Sequence, residues 1–518
     1  MSRNRSKGAA QFMPKLIATI GAGLLAGSGG AFAADADDNG NYFRLGGYVR
    51  AWASWNLMDH PETARHNDRY DLSMLRGALS LNADAKTGPL LWKAIVRSDQ
   101  EKLTSYEKRL QDMVKDGQGP GSHMIDEYRR TDLREFYVDA DPSDRVHLRL
   151  GKQQVVWGET DFYHPTDLIQ GFDFRWRSFL EGESDELRKP LIMANATVSV
   201  PEADGALQII VRPGLDRKRD IGNEYQLSGG RWMAQPYKGV DFLGGGLMRY
   251  DQKHPAGDQK DVTGGARWTG IAGDYNYAFS VLNTFYPDAV VNPAANPYKK
   301  APQGSLGDWI FPRVTVYDAS VSTQIPSIDA VLNVEMAYQR DRVFNTGSRL
   351  SAPGIGGVPG TGPVVKKDVV TTTIRMDKQL RLMDLLGTNQ ASFFSVQIFD
   401  TWIKDWKSSD DIVAQFGYAA PMKRHDTVIT AYITLNYINS RLNPGLAVGR
   451  NLSTQDAFVI PSLSYSYGNN WRFLAEADLF FPKHQQRYAT AQWTDRDTYP
   501  LADLARNNQF MIRATYQF

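Results

Sequence analysis

Residues 510–518 read FMIRATYQF, and their alternation decides the fold. Phe510, Ile512, Ala514, Tyr516 and Phe518 share one face; Gln509, Met511, Arg513, Thr515 and Gln517 share the other. Successive side chains of a strand point to opposite faces, so this period of two is a half-buried β-strand. Residues 43–57 (FRLGGYVRAWASWNL) repeat the pattern over fifteen positions. Strands of soluble proteins usually run to about 5–6 residues, so this one is long. Its polar face carries Arg44 and Arg50, and residues 75–85 bring Arg76 onto a similar face. Arginines repeated on one strand face suit a water-filled lumen better than a packed sandwich core.

The N-terminus points the same way. Residues 1–15 carry Arg3, Arg5, Lys7 and Lys15 without an acid, residues 16–26 are apolar, and Ala31-Phe32-Ala33 is an A-x-A site. These are the parts of a secretory signal peptide cleaved near Ala33, leaving 34–518 as one domain. Beyond residue 34 no apolar run approaches the ~20 residues of a membrane helix. A membrane location would therefore require a closed barrel, which satisfies every backbone polar group in lipid. The terminal Phe518, with Tyr516 two residues before it, resembles the C-terminal signature of bacterial outer-membrane barrels, which implies recognition of Phe518 by the barrel assembly machinery.

Between the two ends, strand-like segments are joined alternately by short and long connections. Gly, Pro, Asp and Asn mark tight turns at 86–89, 141–144, 201–205, 272–274, 326–327, 421–424 and 468–470. Long connections occupy 58–70, 98–130, 151–190, 287–307, 345–365 and 482–507. Short periplasmic turns opposite long extracellular loops are the outer-membrane arrangement. The fold expected is all-β: a transmembrane antiparallel up-and-down β-barrel of about 18 strands, within 16–20. The upper count requires strands at both 224–234 and 412–420. Residues 101–115 place Leu103, Tyr106, Leu110 and Met113 on one helical face, as a surface helix or as a lid, and 351–363 is Gly/Pro-rich.

The longest insert, 151–190, reads GKQQVVWGETDFYHPTDLIQGFDFRWRSFLEGESDELRKP. A connection of that length is usually functional or disordered, and its aromatics argue against disorder. Residues 172–179 interleave aromatics with Asp173, Arg175 and Arg177; 181–186 is acidic; Arg188 and Lys189 follow. Acids and bases facing each other across a pore form a constriction that orients solutes. Trp157, Glu159, Asp161, Asp173, Arg175, Trp176, Arg177, Glu183 and Arg188 are the expected ligand or constriction residues. Arg44, Arg50, Arg76, His147 and Arg149 are the expected lumen wall.

Other function classes leave fainter traces. Lys+Arg 59 against Asp+Glu 58 gives a net charge of +1, with no basic run to bind nucleic acid. The absence of cysteine excludes disulfides and thiolate zinc. Glu181, Glu183, Asp185 and Glu186 are hard oxygen donors without calcium-loop spacing, so neither metal nor cofactor is expected. Neither G-x-S-x-G nor H-E-x-x-H occurs. The alternative function is an outer-membrane enzyme acting on lipid or surface glycan through Glu159 and Glu183 as a carboxylate pair. A structural or adhesion barrel is a third reading.

Residues 151–159, GKQQVVWGE, closely resemble the G-[RK]-Q-x-V-x-W-G-[EK] signature of a proteobacterial outer-membrane family catalogued as domain of unknown function 1302. Pro165, Thr166 and Asp167 are similar to the family's Asn-Pro-x-Asp segment, with His164 in place of the Asn. Arg188-Lys189-Pro190-Leu191 is similar to its charged residue before Pro-Leu. The resemblance implies a setting beside an inner-membrane exporter of the resistance-nodulation-division type and a periplasmic lipoprotein-carrier-like protein. The chain would then be the outer-membrane part of a lipid or hydrophobic-compound transport route, non-enzymatic, with small or apolar solutes and outer-membrane lipid as its partners.

Overall fold

The computed structural model describes residues 32–34, 40–59, 66–109, 128–158, 167–176, 181, 184–224, 248–347, 360–414, 420–483, 504 and 508–518. Eighteen antiparallel strands form one closed ring. They are β1 (Tyr42–Asn56), β2 (Leu72–Thr87), β3 (Leu90–Glu101), β4 (Arg129–Ser143), β5 (Val146–Gln153) and β6 (Leu191–Val200). There follow β7 (Gly205–Arg212), β8 (Thr263–Ala272), β9 (Tyr275–Phe285), β10 (Arg313–Ile325), β11 (Ala330–Thr346) and β12 (Val365–Leu380). The ring is completed by β13 (Ser392–Ile403), β14 (His425–Thr434), β15 (Leu442–Asn451), β16 (Ala457–Tyr467), β17 (Trp471–Phe481) and β18 (Gln509–Gln517). Each strand pairs with its sequence neighbour, and β18 closes on β1 from Tyr48↔Gln517 to Asn56↔Gln509. Gly47 and Phe518 exchange two further backbone hydrogen bonds at 3.0 Å. Closure removes every strand edge, the condition for crossing a bilayer with strands.

The alternation expected of 43–57 and 510–518 is realised. Leu75, Leu133, Ile209, Met336, Ile374, Leu446, Phe510 and Ile512 stay exposed on the outer face. Arg50, Ser54, Asn56, Arg76, Ser80, Arg97 and Asp99 are buried on the inner face. This inverts a soluble sandwich: apolar outside, polar within, as an outer-membrane β-barrel requires. Aromatics gather near both ends of the outer face. Trp92 stacks with Phe136, and Trp471 stacks with Phe473 and meets Tyr516 at a tilt, beside the turns at 88–89 and 468–470. Trp55 meets Phe510 at the opposite end. Rings there are half apolar and half wet, which places them at the headgroup level.

The ring has 18 strands because β7 pairs directly with β8 and β13 with β14, which leaves no place in it for either optional strand. Ile412–Ala414 is a three-residue strand that pairs with Asn345 and Thr346 of β11 within the loops, and Glu224 makes only an isolated bridge to Asp173. Residues 225–234 lie outside the described residues. The tight connection expected at 421–424 is instead the end of the long connection between β13 and β14, on the loop side of the barrel. A three-stranded sheet of Met248–Tyr250, Val290–Pro293 and Gly307–Ile310 builds out the loops on that side. Residues 105–109 are helical, and 110–115 lie outside the described residues.

One glycine launches the insert. Gly151 sits at φ +132°, where a Cβ would lie 2.3 Å from the Phe136 carbonyl oxygen. That backbone region is almost confined to glycine. Gly151→Val should therefore destabilise the barrel by about 3 kcal/mol or more, read as a lower urea midpoint for loss of β signal. Gly88→Ala, at φ +57° with open space around it, should cost only about 1 kcal/mol in the same measurement.

Candidate functional site

The lumen wall of β1–β4 is built in rows set by register. One row runs Tyr48, Ser80, Arg97, Asp132; the next Arg50, Ala78, Asp99, Arg130; the next Trp52, Arg76, Glu101. A bulge opposite Val96 lets both Arg134 and Glu135 reach inward. Arg97 Nε donates to Asp99 at 2.8 Å, and Arg50 Nε to Thr515 of β18 at 3.1 Å. Neighbouring strands thus hold several guanidinium groups in place.

The insert leaves β5 after Gln153 and anchors first on the opposite arc. Val155, Trp157, Leu168 and Ile169 pack with Leu191, Met193, Ile210, Leu282, Val314 and Val316, inner-face residues of β6, β7, β9 and β10. Trp157 Nε1 donates to Gln208 at 2.8 Å, and its ring lies 3.0 Å from where a Gly265 Cβ would be. Gly265 of β8 leaves room for the indole.

From there the chain crosses the lumen. Arg188 Nε donates to Asp167 at 2.8 Å. Asp173 accepts from Arg130 at 2.6 Å and from the Tyr128 hydroxyl at 2.8 Å, while Arg175 Nε lies 3.1 Å from Glu224. Lys189 Nζ donates to the Gly222 carbonyl at 2.9 Å. Trp176 is fully buried against Trp52, centroids 4.9 Å apart and edge-on. Its indole N–H donates to Asp99 at 3.1 Å, and its carbonyl accepts from Arg76 at 2.7 Å. Leu187, Met74 and Met511 complete that cluster.

The short helix Ser184–Leu187 carries Glu186 deepest. Its carboxylate accepts from the Tyr48 hydroxyl at 3.0 Å on each oxygen, from Arg97 at 2.5 Å and from Arg50 at 3.4 Å. Arg134 donates to the carbonyls of Asp185 and Arg188 at 2.7 and 2.9 Å, holding both ends of the helix. Glu181 takes a 3.2 Å bond from Arg513 of β18. Tyr48 lies eight residues from the loop end of β1, roughly 26 Å along the strand. Glu186 therefore reaches mid-barrel.

Burial alone would raise these acids. At Glu186 the burial is more than offset by Arg97, Arg50 and Arg134, which hold the carboxyl at about 2. At Asp173 burial is likewise overcome, by Arg175, Arg130 and Lys189, again to about 2. Asp167 goes the other way, because burial outweighs Arg188 and the more weakly acting Arg267.

Of the residues expected at the constriction, Trp157, Asp173, Arg175, Trp176 and Arg188 lie within this network, whereas Glu159, Asp161, Arg177 and Glu183 lie outside the described residues. Arg50 and Arg76 of the expected wall touch the insert; Arg44, His147 and Arg149 lie toward the turn end. There Arg149 forks onto Asp139 at 2.7 and 2.9 Å, and His147 meets Asp141 at 2.8 Å. Glu181 and Glu186 of the acidic run diverge to separate arginines and do not converge on a cation site. Among the described residues, His66, Asp68 and Asp71 do cluster, but Arg109 bridges the two carboxylates. Sequence reasoning missed Tyr48, Arg97, Arg130, Arg134, Arg513 and Glu224. For Tyr48 the signal existed, since it shares a strand face with Arg50.

The Glu186 contacts set a pH dependence. Its carboxyl titrates at about 2 in the folded chain against 4.5 when free, so its stabilisation is complete above pH 4.5 and lost as pH falls toward 2. Amide exchange over 184–190, corrected for intrinsic rates, should show strong protection at pH 7 and weakened protection at pH 3 within an intact barrel. Equal protection at both would remove Glu186 as the anchor.

No curated protein sequence matches the chain. Among solved structures it is similar to OccAB1 of Acinetobacter baumannii, with 9% identity over 92% of this chain and 96% of that one, at a TM-score of 0.44. It is similar to OccK5 (OpdH) of Pseudomonas aeruginosa, with 8% identity over 92% and 97%, at 0.44. OpdK of Pseudomonas aeruginosa, solved with vanillate, gives 9% identity over 92% and 98%, at 0.42. The family described as "Protein of unknown function (DUF1302)" matches residues 14–206, the part of the chain that holds β1–β6, the insert and the signature at 151–159.

Proposed function

We propose that this protein is a non-enzymatic outer-membrane transport conduit whose passage is controlled by the insert at 151–190. The observation that carries the reading is the crossing itself. The insert is fixed to β6–β10 by apolar packing and to β18 and β1–β4 by charged contacts, so it stands across the lumen rather than over it. A ring of 18 strands encloses a lumen too wide for wall side chains to fill. A segment held there by polar contacts to the wall sets what passes. The resemblance at 151–159 supports a finer version, in which a periplasmic carrier and an inner-membrane exporter serve the same route and hydrophobic compounds are among its cargo.

Purified protein in planar bilayers provides the test. The native chain should conduct weakly, and Glu186→Gln should conduct several-fold more, because its amide cannot neutralise Arg50 and Arg97. Removing 159–186 should raise conductance further. A barrel that folds without 159–186 and still passes no current would rule out the conduit.

A further inference from the structure

Glu186 occupies a site that the barrel wall builds without help from the insert. Tyr48 and Arg50 come from β1, Arg97 from β3 and Arg134 from β4. Thr515 and Asp99 aim Arg50 and Arg97 into the lumen. The side chains of Arg50 and Arg97 are 5% and 3% exposed, and Glu186 is 12% exposed. If Glu186 withdraws, three guanidinium groups remain beside the one carboxylate of Asp99 and the recess opens to the lumen. The excess positive charge there, with its donors already oriented by the wall, favours an anion. Its donors suit a carboxylate: Tyr48 stands equidistant from the two oxygens, and Arg97 and Arg50 each approach one of them.

The recess also has an apolar side. Trp52, Met74 and Met511 belong to the wall and are buried by Trp176 and Leu187 of the insert. Withdrawal of the insert uncovers them next to the arginines. We infer that Tyr48, Arg50 and Arg97 form a binding site for the carboxylate of a permeant with an apolar body, for which Glu186 is the built-in competitor. The ligand's carboxylate replaces that of Glu186, one negative charge for another, and its body takes the place of Trp176 and Leu187 on Trp52, Met74 and Met511. Binding and unblocking are then the same event, because the ligand favours only the withdrawn insert. A neutral apolar molecule brings no charge to the arginines, and acetate leaves Trp52 uncovered, so neither competes well.

This inference rests on the conduit reading, and one experiment separates the two. Benzoate is titrated onto the native protein in planar bilayers, with benzyl alcohol and acetate as controls. Benzoate should raise conductance in a saturable way, benzyl alcohol should not, and acetate should need much higher concentrations. Tyr48 serves Glu186 and the ligand alike, so its part is read where the competitor is gone: in Glu186→Gln, adding Tyr48→Phe should weaken benzoate binding by calorimetry roughly tenfold, the expected loss of a hydrogen bond to a charged group. Glu186→Gln should conduct without benzoate. Should Glu186→Gln open the barrel while benzoate leaves the native protein unchanged, the ligand site is overturned and the conduit stands. Equal potency of benzyl alcohol, or benzoate binding to Glu186→Gln that Tyr48→Phe leaves unchanged, also overturns the site. If neither Glu186→Gln nor removal of 159–186 yields current, it is the conduit that fails.

Discussion

The ladder between β1 and β18 is the constraint from which the rest follows. Nine residue pairs from Tyr48↔Gln517 to Asn56↔Gln509 join the two ends of the chain. Without them both strands would present unpaired N–H and C=O groups, each costing several kcal/mol in lipid. Closure also fixes which face looks inward. A one-residue slip would turn Arg50 and Arg513 to lipid and Ala51 and Ile512 to the lumen. The rows of charge on β1–β4 exist because that register is held all the way round.

A polar lumen does not by itself place a peptide inside it. The insert is held by two kinds of contact with different costs of release. Its first part lies in apolar packing, where Val155, Trp157, Leu168 and Ile169 each gain from leaving water. Its second part is held by charge and by the packing of Trp176 and Leu187 on Trp52, Met74 and Met511. Separating a buried carboxylate from its arginines costs about 3–5 kcal/mol if nothing replaces it. It costs far less when water or another anion enters. The charged contacts are therefore the releasable ones, and the insert passes from the first apolar cluster to the second between Ile169 and Phe172. There Gly171 meets Gly222 backbone to backbone, a Cβ at 171 being 2.0 Å from the Gly222 carbonyl oxygen.

Much of the fold was legible because its signal is local. Period-two alternation in 43–57 and 510–518, turn residues at one end and the lack of a long apolar run are properties of neighbouring residues. The misread turn at 421–424 has a local cause too: Pro421 and Arg424 carry turn chemistry, but the side of the barrel they occupy depends on Ile412–Ala414 pairing with β11. Site residues divided along the same line. Trp176 and Asp173 stood out by composition within the insert. Arg97 and Arg130 did not, since nothing in RSDQE or RRTDLRE says that they meet Glu186 and Asp173 from far along the chain. Those contacts, such as Tyr48 with Glu186 at a separation of 138 residues, are products of barrel register.

The same register explains why Glu186 is held so firmly by so short an element. A four-residue helix has almost no stability of its own. Its position is imposed from outside: Arg134 takes the carbonyls at 185 and 188, Leu187 enters the Trp52 cluster, and Tyr48, Arg50 and Arg97 close on the carboxylate. Arg50 and Arg97 are oriented by Thr515 and Asp99 of the wall itself, so most of the ordering entropy falls on the insert. An insert that is structured only while docked has two states rather than a continuum, and the exchange between them is governed by whatever else can satisfy three arginines and a tyrosine.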